Sequence, residues 1–143
     1  MSHCQYLNTD LDIESQEDLS PLIQQLGERV LVLYHGETQT IGHQLASFEI
    51  NMDHADADAT INHLCIVIET LPERERAIWN NCSTRLFDIG YACTSGTESV
   101  RSYSELCAAT VSRVAALGAS IAITMYPDYE QAHQVGTPDA AIK

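Results

Sequence analysis

The sequence predicts an α+β domain: a ferredoxin-like β-α-β-β-α-β unit extended by one further helix and strand. Three observations predict it. Period-two and period-3.6 hydrophobic segments follow one another as strand, helix, strand, strand, helix, helix, strand, helix, strand. The stretch Thr84 to Thr94 reads as the central strand, with Phe87, Ile89, Tyr91 and Cys93 toward a core and Asp88, Gly90 and Ala92 toward an open face. The chain has 143 residues, 45% of them apolar, which suits one domain with its own core. The expected sheet is mostly antiparallel, with five strands in the order 5-4-1-3-2 and helices on one face only. Residues 1–127 are expected to form the domain, and 128–143 a loose or disordered tail without periodicity.

Each element has its own warrant. Residues 4 to 13 alternate, with Leu7, Thr9, Leu11 and Ile13 on one face and Tyr6, Asn8, Asp10 and Asp12 on the other. Ser15 offers an N-cap to a first helix, whose stripe is Leu19, Leu22, Ile23 and Leu26, with Gly27 as its stop. Val30 to Tyr34 is a short strand, and Gly36 to Gln39 turns it into a third strand from Ile41 to Met52. That strand points Ala46, Phe48, Ile50 and Met52 inward and Ser47, Glu49 and Asn51 outward.

An acidic loop, Asp53 to Asp58, leads into a helix whose buried stripe is Ala57, Ile61, Leu64, Ile68 and Leu71. Pro72 ends it and starts the next, Glu73 to Asn81, which carries the only tryptophan, Trp79. After the central strand comes a loop, Thr94 to Ser99. A helix capped by Ser102 or Ser104 follows, with Cys107, Val111, Val114 and Leu117 at helical spacing. Ser120 to Tyr126 is the last strand, with Ile121, Ile123 and Met125 inward and Ala122, Thr124 and Tyr126 outward; Pro127 stops it.

Charge excludes more than it identifies. Twenty acidic residues face seven basic ones, a net charge of −13, and the only lysine is Lys143. Nucleic acid needs cations laid along phosphates, and the six arginines here are scattered. Direct nucleic-acid binding and attraction to anionic membranes are therefore not expected. No apolar run reaches the length of a membrane span, and the first residues lack the basic and apolar regions of a secretory signal, so a cytoplasmic location is expected.

The five cysteines, Cys4, Cys65, Cys82, Cys93 and Cys107, form no C-x-x-C pair, which argues against a disulfide framework or structural zinc. All five are expected to be reduced, with Cys65 and Cys107 buried. Cys82 and Cys93 bracket an extended strand that would hold them about 30 Å apart. Cys93 as a nucleophile lacks a neighbouring histidine, and its apolar flanks favour an inert thiol.

Candidate chemistry gathers on the open face. In the expected sheet order Asp88, then Asn8 and Asp10, then Glu49 are neighbours, flanked by Tyr6 and Tyr126. Carboxylates so placed stay solvated or share a cation or a proton. They oppose a dry face-to-face dimer, since buried unpaired charge is costly. Asp53, His54, Asp56, Asp58 and His63 have the composition of a metal site, but their spacing fits no motif and the helix dipole accounts for the acids. No phosphate-cradling, nucleophile-elbow or metalloprotease motif occurs, and no cofactor is expected.

The motifs Asn8-Thr9-Asp10-Leu11-Asp12-Ile13, Phe87-Asp88-Ile89-Gly90-Tyr91-Ala92-Cys93 and Tyr126-Pro127 resemble a family of small bacterial proteins of unknown function. The resemblance spans about residues 4–127 and implies no activity; where the family pattern has Asn, this chain has Asp88. Together these features point to a binding protein rather than an enzyme. It would mask a basic partner, as immunity proteins do. The alternatives are a small-molecule or metal-dependent site on the open face, and self-association through that face.

Overall fold

The computed structural model describes residues 4–53, 55–94 and 101–127. The chain runs β1 (Cys4–Ser15), α1 (Ser20–Leu26), a 3-10 turn (Gly27–Arg29), β2 (Val30–Glu37), β3 (Gln44–Ile50), α2 (Ala57–Glu69), α3 (Glu73–Asn81), β4 (Thr84–Cys93), α4 (Ala108–Ala116) and β5 (Ser120–Pro127). The five strands form one mixed α+β sheet in the order β2-β3-β1-β4-β5. Read from its other edge, the expected order names the same neighbours. β1 pairs antiparallel with β3 and β4, β2 antiparallel with β3, and β4 parallel with β5.

One core holds the layers together. Leu11 and Ile13 of β1, Phe48 of β3, and Phe87 and Ile89 of β4 meet Leu22 and Leu26 of α1, Ile61, Leu64 and Ile68 of α2, and Trp79 of α3. The alternation in β1 and β4 is what turns these residues to the helices and leaves Asp10, Asp12 and Asp88 on the other side.

Helix boundaries depart from the expected caps for local reasons. β1 continues to Ser15, whose hydroxyl accepts from the Glu17 N–H instead of capping α1. The helix begins later, with Leu19 at the N-cap position and Pro21 in the first turn. β3 is also shorter than expected: Ile41 and Met52 lie outside it and are exposed.

α4 begins at Ala108, so neither Ser102 nor Ser104 caps it. Its buried residues are Thr110 and Val114, with Leu117 just beyond, while Cys107 and Val111 are exposed. Of the expected stripe, Val114 and Leu117 are buried; Cys107 precedes the helix, and Thr110 takes the buried position expected of Val111. With only nine residues, α4 leaves Ile123 and Met125, expected inward, 61% and 67% exposed on β5. His54, most of the Thr94–Ser99 loop and the expected tail, 128–143, lie outside the described residues.

Two features of β1 were not expected. A register shift between Tyr6 and Asn8 interrupts its pairing with β4. Beyond it, Cys4 faces Cys93 and the two are joined in a disulfide, so Cys93 is not a free thiol. Cys65 and Cys82 are buried, and burial pushes both thiols up to about 11.

Candidate functional site

The open face is built by three adjacent strands. Asp10 and Asp88 are direct cross-strand partners. Asp12 faces Ser47, whose hydroxyl donates to the Asp12 carboxylate. The Asn8 side-chain amide bridges two carboxylates, donating to Asp10 Oδ1 at 3.0 Å and to Glu49 Oε1. Thr124 on β5 donates its hydroxyl to Asp88 Oδ1 at 2.6 Å. Neutral donors therefore hold this row of acids. The two ion pairs among the described residues, His43–Glu14 and Arg113–Glu69, lie elsewhere.

Gly90 marks where the row closes. A Cβ at this position would lie 3.0 Å from Asn8 Oδ1 and 3.4 Å from the Tyr126 ring. At this open-face glycine it is the chain's own Asn8 and Tyr126 that approach the backbone. Tyr126 thus flanks the row as expected. Tyr6 does not. Its hydroxyl reaches Thr9 Oγ1 at 2.8 Å and donates to Thr60 Oγ1 of α2 at 3.1 Å, and its ring meets Tyr91 edge-on. The shift after Tyr6 moves it to the helix side and leaves Leu7 half exposed. Strict alternation cannot reveal such a bulge, because one inserted residue reverses the faces beyond it.

Tyr6 is one wall of a cleft of about 680 Å³ at the end of the sheet, lined among others by Asn8, Thr9, Glu49, Asp53 and Thr60. Asn8 and Glu49 are shared between the cleft and the acidic row. Asp10, Asp88 and Tyr126 are not among the cleft's walls.

No family model, curated protein or solved structure matches this chain.

Two acids of the Asp53–Asp58 segment have structural partners. Asp56 caps α2, accepting from the Ala59 N–H at 2.8 Å, and Asp58 accepts from the Cys107 N–H at 2.9 Å. The latter bond ties the start of α2 to the start of α4 and holds the Asp58 carboxyl below its usual range. Among the described residues no group of three or more His, Cys, Asp and Glu side chains is arranged to hold a metal ion.

Asp10 is the chemically distinctive member of the row. Burial first, then the charges of Glu49, Asp12 and Asp88, push its carboxyl up from 3.8 to about 6. The folded state therefore holds this proton more tightly than the unfolded chain. The resulting stabilisation is complete below pH 3.8 and is lost as the pH rises through 6. Asp10→Asn, which keeps the shape and removes the charge, should be more stable than the parent above pH 6. The expected gain is about 1 kcal/mol once solvent screening of this partly exposed group is allowed for. Urea unfolding at pH 4 and pH 7.5 checks this. A difference that stays constant between those pH values would show that Asp10 does not titrate in this window.

Proposed function

We propose that this protein is a non-catalytic binding protein whose open sheet face receives a cationic group from a basic protein partner. One observation carries the reading: Asp10, Asp12, Glu49 and Asp88 share a surface, and their hydrogen bonds come from neutral donors, Asn8, Ser47 and Thr124. An incoming ammonium or guanidinium would relieve the carboxylate repulsion that, after burial, raises Asp10's proton affinity. The chain's net charge of −13 would steer such a partner and repel nucleic acid and anionic membranes. Masking of a basic target, in the manner of an immunity protein, is the biological form this reading takes.

Two structural expectations belong with this proposal. The sheet order and antiparallel pairings of β1 to β4 support the ferredoxin-like assignment, with α4 and β5 as the extension. The cytoplasmic expectation is opposed by the Cys4–Cys93 bond, which an oxidising compartment would preserve. The cleft beside Asn8 and Glu49 supports a second reading, a polar small molecule seated at the sheet end.

Binding of an arginine-rich peptide, followed by fluorescence anisotropy over a salt series, tests the first reading. The double change Asp10→Asn and Asp88→Asn should weaken binding about tenfold at low salt, and the gap should shrink as salt rises. Glu73→Gln with Glu75→Gln on α3 controls for net charge. Equal losses from both pairs would reduce the effect to overall acidity and end the proposal.

A further inference from the structure

We propose that the cleft at the sheet end holds a primary ammonium group carried on an apolar body, an inference that rests on reading this cleft as a small-molecule site. The sheet itself makes the space. β1 pairs with β3 only from Leu11–Phe48 to Ser15–Gln44, and the ladder does not continue to Asp10. Glu49 and Ile50 of β3 stay paired with Leu31 and Val30 of β2. The two central strands part here, and the cleft is walled by residues 6–9 of one and 49–53 of and beyond the other. Its volume of about 680 Å³ falls within the roughly 300–1,000 Å³ of small-molecule sites.

What the walls offer a ligand depends on where their own protons go. Thr60 gives its hydroxyl proton to the Asp56 carbonyl at 2.9 Å, and the Tyr6 hydroxyl donates to Thr60. With the one proton of Tyr6 so used, Thr9 is the donor in the 2.8 Å bond between their hydroxyls. Asn8 gives its amide protons to Asp10 and Glu49, and Asn51 gives one of its own to the Glu28 carbonyl. No Lys, Arg or His is among the described walls. The lining side chains are thus poor in donors and rich in acceptors, above all the Glu49 and Asp53 carboxylates. An anionic ligand would meet two like charges, and a neutral alcohol would leave them uncompensated. An ammonium brings three donors and the opposite charge. Leu7, Leu31 and Met52 line the same cleft and are each about half exposed. A bare cation would leave them in water, whereas an alkyl or aryl body covers them.

Amide chemical shifts of the full chain, titrated in turn with hexylamine, hexyltrimethylammonium, hexanol and hexanoate, read this out. Hexylamine should move the amides of residues 7–9 and 49–53 saturably, with a dissociation constant of about 1 mM. Hexyltrimethylammonium keeps the charge but has no N–H, and should bind about tenfold more weakly, with hexanol and hexanoate weaker still. Glu49→Gln should weaken hexylamine about tenfold and Asp53→Asn about threefold, while Glu73→Gln with Glu75→Gln on α3 should leave it unchanged. Asp53 is exposed and lies beyond β3, so its variant keeps the test decisive if Glu49→Gln disturbs the sheet. Hexanol or hexanoate moving the same amides as tightly as hexylamine would overturn the amine class and leave the small-molecule reading standing. So would hexyltrimethylammonium binding as tightly as hexylamine. No saturable shift from any of the four up to about 20 mM would overturn both.

Discussion

Trp79→Ala should destabilise the protein by about 3–5 kcal/mol, a large part of the roughly 5–15 kcal/mol that holds a domain of this size folded. Trp79 is fully buried and is the largest such side chain among the described residues. Its position on α3 lets it do two things. The ring fills the core, and Nε1–H donates to the Leu117 carbonyl at 3.0 Å, where α4 ends. Alanine removes the volume and also leaves that carbonyl without its donor. Trp79→Phe separates the contributions: it keeps most of the ring and loses the hydrogen bond, for a cost of about 1–3 kcal/mol. Urea unfolding followed by far-ultraviolet circular dichroism measures both, since each variant lacks the only tryptophan. A Phe variant as unstable as the Ala variant would place the whole effect in the hydrogen bond.

Periodicity carried the core into view because burial and alternation have the same cause. Phe87 and Ile89 face the helices for the reason that Asp88 does not, and Leu11 and Ile13 bracket Asp12 in the same way. The acidic row follows from that logic once the strands are ordered, which is why Asn8, Asp10, Glu49 and Asp88 were legible as neighbours. Tyr6 was not. The irregularity after it is a property of pairing between β1 and β4, and nothing in the residues Tyr6-Leu7-Asn8 marks it as Gly or Pro would. The α4 boundary failed for a related reason. Ser102 and Ser104 are good caps, but Cys107 takes the cap position where Asp58 of α2 accepts its N–H. A contact between residues 49 apart decided what local propensity proposed otherwise.

The Cys4–Cys93 disulfide was hidden by counting, since an odd number of cysteines and the absence of a C-x-x-C spacing both suggest free thiols. Antiparallel pairing of β1 with β4 brings the first residue of one strand against the last of the other, with Cα atoms 4.1 Å apart. The crosslink spans 89 residues, so it removes much of the unfolded chain's freedom. Its loss should cost about 2–4 kcal/mol. The effect should also be local. Past the register shift, β1 and β4 share only the pairs Cys4–Cys93, Gln5–Ala92 and Tyr6–Tyr91. This short segment carries the Tyr6 hydroxyl that reaches Thr60 at one wall of the cleft. Cys4→Ser should therefore loosen the cleft end of the sheet before the rest, seen as faster amide exchange at Gln5 to Leu7 with Leu11 and Ile13 still protected. Guanidinium unfolding with and without reductant gives the global cost. Alkylation of the denatured, unreduced chain gives the bond itself: Cys65, Cys82 and Cys107 should react, and all five cysteines only after reduction. Five reactive thiols without reductant would mean that Cys4 and Cys93 are unbonded, and both the stability loss and the local loosening should then be absent.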